Sequence, residues 1–166
     1  ELDDCGAIGA GLIEAYHIEP QERYLDHIKK SADHIMNKQL RLVDGTLARP
    51  RPQINTVWGD DLYMSVPFLA RRGDFTGEPS YFDEAVKQVV LFHKHLYDNE
   101  TELYYHNWYS DTRKNGVAHW GRCNGWVIMA KVNLLEYLPE SHPQRDTIIS
   151  LLHQQILGLS RHQDVS

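Results

Sequence analysis

Val57–Glu100, VWGDDLYMSVPFLARRGDFTGEPSYFDEAVKQVVLFHKHLYDNE, decides how the 166-residue chain is built. Trp58, Leu62, Val66 and Leu69 recur at helical spacing, and Phe82, Ala85, Val86, Val89, Val90 and His93 do so again after Pro79. The pattern predicts a helix over 58–72, with Trp58 in its register and a kink at Pro67, and a longer helix over 79–97. Between them lies the polar turn GDFTGEP, so the segment is a helical hairpin.

The same plan appears on either side. Residues 4–17 and 20–41 read as helices joined by HIEP, and residues 123–138 and 142–160 as helices joined by LPESHP. Pro20, Pro79 and Pro143 fall at matching places, where a first helical turn tolerates the missing N–H. The longer helices lead into similar tails, KQLRLVDG, HKHLYDNE and SRHQDVS. Three like pairs predict an all-α protein of stacked hairpins that bury a shared core, either open or closed into a toroid. Loops 42–57 and 98–122 are too long to be mere connectors, and loops of that length usually carry function.

Bulk composition narrows the classes. With 42% hydrophobic and 24% charged residues, the chain has the make-up of one globular domain. It starts at Glu and stops in SRHQDVS without an ending signal, so residues 1–166 are read as part of a longer catalytic domain. A formal charge of -6 with scattered Lys and Arg gives no footprint for nucleic acid. No apolar run approaches the ~20 residues that cross a bilayer, so no membrane partner is expected. Neither Cys5 nor Cys123 has a second ligand at metal spacing, and both read as spectator thiols. Localisation and oligomeric state are open at this point.

The residues fit for chemistry cluster at the hairpin starts and in the long loops. LDDCGAIG and VWGDDLYM place carboxylate pairs where first helices begin, and equivalent positions of successive repeats face the same side of a stack. Asp4 and Asp60 are thereby expected to meet in one cavity, against the alternative that each caps its helix. Paired carboxylates among indoles suit sugar chemistry, because a pyranose face packs on an aromatic ring and its reaction needs a proton donor. In HWGRCNGW, Arg122 offers a planar fork for a carboxylate, Trp120 and Trp126 can wall a ring, and Gly121 and Gly125 would let backbone come close. An acidic sugar fits this set. His106, in YYHNWY, can add a hydrogen bond or handle a proton, and Trp108 beside it reads equally as core or site.

LDDCGAIGAGLIEAY, VWGDDLYMSVPFLAR, LYYHNWY and WGRCNGW, in this order, resemble glycoside hydrolase family 105, the unsaturated rhamnogalacturonyl hydrolases, with the related family 88 unsaturated glucuronyl hydrolases the nearest neighbour. The resemblance implies an (α/α)6 toroid more than twice this length, of which three hairpins are about half. It implies hydrolysis without metal or cofactor of a nonreducing 4,5-unsaturated uronic acid on a lyase-generated oligosaccharide, by hydration of the vinyl ether. It makes Asp60 the general acid and base and Asp4 the second carboxylate, with Asp3 the alternative. Trp58, His106, Trp120, Arg122 and Trp126 match substrate contacts. Asp61 then either tunes the acid or caps the helix. Two other readings stay open: a helical-repeat module that binds a glycan without turning it over, and another (α/α) toroid sugar enzyme such as an epimerase.

Overall fold

A computed structural model describes residues 2–164 of the chain; Glu1 and the last two residues of the SRHQDVS tail lie outside the described residues. Six α-helices form three hairpins: α1 (Leu2–Ile18) with α2 (Glu22–Asp33), α3 (Asp60–Thr76) with α4 (Pro79–Leu96), and α5 (Gly121–Tyr137) with α6 (Arg145–Arg161). The first helices of the hairpins, α1, α3 and α5, pack side by side as an inner row, and each is backed by its own partner on the outside. This is the hairpin arrangement of an (α/α)6 toroid, seen here as an arc of three.

Central α3 explains the row. It touches α1, α4 and α5, so it is buried on several faces, from Asp60 and Leu62 through Val66, Phe68 and Leu69 to Gly73. Phe68, Val86, Val89 and Phe92 anchor the core between the two layers. Gly6 sets the spacing of α1 and α3. A Cβ there would stand 1.4 Å from the Met64 carbonyl oxygen, so only glycine permits the approach. Helix α3 runs on through Pro67 and ends at Gly77, whose φ of 71° is the left-handed cap that glycine adopts freely. Pro79 opens α4 as the sequence suggests.

Three expectations need correction. The second helix does not run to residue 41. Helix α2 passes into a π-helical turn, His34–Lys38, and stops, because Arg41 folds back to donate to the Ile35 carbonyl at 2.9 Å and pairs with Glu84. Pro20 and Pro143 precede the N-caps Gln21 and Gln144 instead of lying in the first turn. Trp58 is not part of α3: it ends strand β1 (Thr56–Trp58), which pairs antiparallel with β2 (Asn107–Tyr109) and through it with β3 (Lys114–Asn115). The two long loops thus meet in a small sheet, a pairing between distant segments that helical periodicity does not reveal.

Candidate active site

The hairpin order aims the N-terminal ends of α1, α3 and α5 at one end of the inner row, next to the sheet. Gly59 is the joint between β1 and α3. Its N–H donates to the His106 carbonyl at 2.9 Å, and a Cβ on it would fall 2.3 Å from the Cys123 sulfur. A side chain at residue 59 would push the strand, the helix and α5 apart. Asp60 follows at once, its orientation set by that close packing.

The carboxylate of Asp60 is held from two sides. His106 Nε2 lies 2.9 Å from Oδ2, and Arg122 Nε lies 3.2 Å from Oδ1. Asp60 is almost buried, whereas Arg122 keeps about half of its side chain exposed (51%), so the guanidinium is available to solvent beside the acid. Aromatic rings frame the group. His106 stands edge-on to Trp58 and to Trp120, each with ring centroids 4.9 Å apart, and Arg122 lies over Trp120 at 3.8 Å. Helix N-termini carry partial positive charge, which favours anions at this end of α3 and α5.

Sequence reading did not single out Arg49, and it is central. It clamps Asp61 in two parallel hydrogen bonds, 2.8 and 2.7 Å, reaches Asp3 at 3.2 Å, and lies over Trp58 at 4.9 Å. Asp61 is therefore not a cap: it is a buried carboxylate whose partner Arg49 lies over the Trp58 indole. Burial pushes Asp61 up to about 6 against the pull of Arg49, and Asp61 in turn holds the Arg49 guanidinium above its ordinary value. The one available clue was that Arg49 lies in the first of the two long loops.

The other site candidates divide. Asp3 is the member of the N-terminal pair that the Arg49 bridge ties in, while Asp4, exposed in the first turn of α1, lies beside it. The contact of Gly6 with Met64 brings the first turns of α1 and α3 alongside each other. Trp126 packs one turn further along α5, 4.4 Å from the ring of Tyr63, which lies one turn beyond Asp60 on α3. Tyr63 was also missed, as its place in the α3 apolar pattern resembles core. A Cβ at Gly121 or Gly125 would meet no protein atom within 4 Å, whereas one at Gly6 or Gly59 would collide with its neighbours. Trp108 points to the far face of the sheet. Cys123 is fully buried, and burial first, then the charge of Asp60, pushes its thiol up to about 12, so it stays a thiol. Among the described residues no group of three or more His, Cys, Asp or Glu is placed to hold a metal ion, and no helix is long and apolar enough to cross a membrane.

A family model described as Glycosyl Hydrolase Family 88 matches residues 1–166. The chain belongs to this glycoside hydrolase family. Among solved structures it is similar to a possible family 105 member from Salmonella enterica serovar Paratyphi A, with 30% identity, a TM-score of 0.87 and coverage of 97% of this chain and 44% of that one. A family 105 glycoside hydrolase from C. acetobutylicum is similar at 28% identity and a TM-score of 0.85, covering 94% of this chain and 45% of that one. An unsaturated 3S-rhamnoglycuronyl hydrolase of Alteromonas sp. (strain LOR) is 31% identical over 110 residues, which are 64% of this chain and 27% of the relative. The chain spans about a quarter of the length of that curated relative and under half of the two solved structures.

Proposed function

We propose that the protein of which this chain forms part is an unsaturated uronyl hydrolase of the rhamnogalacturonyl type. The observation that carries the reading is the Asp60 carboxylate held between His106 and Arg122, with the Trp58 and Trp120 rings standing edge-on to His106. The half-exposed Arg122 suits a uronate carboxylate, and the flanking indoles suit a flattened ring. Family membership and the printed names of curated relatives, unsaturated 3S-rhamnoglycuronyl hydrolases, support a nonreducing 4,5-unsaturated uronic acid as the sugar.

The residues supply each step. Asp60 gives a proton to C4 of the vinyl ether, and the cation left at C5 is shared with the ring oxygen. Water adds at C5 and returns a proton to the Asp60 carboxylate. The hemiketal so formed opens and releases the aglycone alcohol, so the net change is addition of one water. His106, in hydrogen-bond contact with Asp60, orients the carboxylate and exchanges protons with it. Asp4 is proposed as the second carboxylate of the site, contributed by the neighbouring hairpin. Arg49 and Asp61 hold Trp58 against the ring.

A matched pair of disaccharides tests the substrate. The full-length protein is incubated with a lyase-generated unsaturated disaccharide and with its saturated counterpart. Loss of the ultraviolet chromophore with release of the aglycone, and no cleavage of the saturated sugar, is the expected result. Equal cleavage of both would establish an ordinary glycosidase; binding of both without turnover would establish a glycan-binding module.

A further inference from the structure

The sheet that carries Trp58 toward Asp60 has a second face with a site of its own. In the antiparallel ladder Val57 opposes Trp108 and Trp58 opposes Asn107. Directly opposed residues share a face and successive residues alternate, so Trp108 and Trp58 lie on opposite faces. On the Trp108 side a cleft of about 430 Å³ opens between the loop after α2, the end of α4 and the turn after β2, a volume within the range of small-ligand sites. It belongs to the middle hairpin and its loops, away from Asp60.

The lining combines an indole with polar and charged groups. Trp108 supplies a half-buried indole, steadied by the His95 ring 4.4 Å away. Asn55 and Ser110 bring amide and hydroxyl groups. Asp44 brings a carboxylate; burial would raise it, but hydrogen bonds from Thr46, His95 and Lys94 outweigh that and hold it well below the usual range. Its two oxygens each accept two of these hydrogen bonds, so Asp44 is a fixed wall of the cleft, with its charge offset by Lys94. Arg113 is exposed, lines the cleft, and has no ion pair among the described residues. It is held at a φ of 54°, a backbone conformation that non-glycine residues seldom adopt. An aromatic platform, neutral hydrogen-bonding groups and one unengaged planar cation are complementary to a pyranose bearing a carboxylate.

We infer that this cleft is a second carbohydrate site, distinct from the Asp60 cluster, that binds a uronate unit of an acidic oligosaccharide with the ring on Trp108 and the carboxylate on Arg113. It stands on the geometry of the cleft beside Trp108 and not on the reaction assigned to Asp60. Saturated trigalacturonate is the probe, since it lacks the double bond, with neutral galactotriose for comparison. Each is titrated into the full-length protein by calorimetry. Trigalacturonate should bind, and galactotriose more weakly. Loss of a charge-assisted contact in Arg113→Ala should weaken trigalacturonate about tenfold, and Arg122→Ala should leave it within about twofold. Arg113 is exposed, so its removal does not threaten folding; Trp108→Ala should give the same loss, with circular dichroism confirming the fold. Absence of trigalacturonate binding, unchanged affinity in Arg113→Ala, or abolition by Arg122→Ala would overturn the second site. Failure here leaves the chromophore assay of the Asp60 reading untouched, and the converse holds.

Discussion

Removing the guanidinium of Arg49 would strand Asp61, a carboxylate with 1% of its side chain exposed, inside the fold. Breaking a buried pair from one side costs about 3 to 5 kcal/mol, so Arg49→Ala should lower the denaturant midpoint strongly, while Arg49→Leu combined with Asp61→Leu should recover most of the loss. Arg122 calls for the opposite result. Its exposed position makes Arg122→Ala nearly neutral for stability, but KM for an unsaturated uronate should rise by roughly tenfold or more, with Arg122→Lys only partly restoring it, because a point charge does not replace the fork. At this scale Asp60, His106, Arg122, Trp58 and Trp120 were legible, since rare residue types at helix starts and in long loops draw attention. Arg49 and Tyr63 were not. An arginine among loop prolines and a tyrosine in an apolar stripe look ordinary until the fold brings Asp61 and Trp126 to them.

The helices were read more reliably than their joints. Apolar spacing marked all six, because each buries one side against the row, yet it carried Trp58 into α3 and extended α2 through Arg41. Those errors share a cause: strand pairing between loops and a folded-back arginine are contacts between segments, and a helical period is blind to them. Close packing of α1 on α3 predicts that Gly6→Ala destabilises by about 3 kcal/mol or more in thermal or urea unfolding, since backbone stands where the methyl would go. Helices α4, α5 and α6 are joined by a buried polar chain. Lys131 Nζ donates to Tyr104 Oη at 2.9 Å and to Gln155 at 2.9 Å, and His93 Nδ1 lies 2.8 Å from the same Tyr104 oxygen. Burial lowers Lys131 to about 7 and His93 to about 4. Between about 7 and the ordinary lysine value of 10.5 the unfolded chain holds a proton that the folded chain lacks, so stability contributed at this site rises with pH across that window and is flat below it. Urea titrations from neutral to alkaline pH should show that rise in the wild type and not in Lys131→Met.

Across the molecule, the arc leaves apolar side chains exposed on its outer and flanking helices: Ile8 on α1, Met129 and Val132 on α5, and Ile149, Ile156 and Leu157 on α6. Surfaces of this kind associate unless covered. The 166-residue chain expressed alone should therefore self-associate in sedimentation velocity as concentration rises, in contrast to the full-length protein; a concentration-independent monomer would show these flanks to be tolerated. The repeat of three hairpins made this architecture readable, and it converges the first helices on a single end, which is why residues as distant as Asp60, His106 and Arg122 meet. The central claim is that the Asp60 carboxyl moves the proton onto the sugar. Its most direct measurement is the rate of chromophore loss from a lyase-generated unsaturated oligosaccharide by full-length wild type and Asp60→Asn, with binding of the same sugar followed in parallel. Binding should be retained and the rate lower by roughly 10²- to 10⁴-fold; an Asp60→Asn protein that consumes the chromophore within a few-fold of wild type would contradict a proton-transfer role for Asp60.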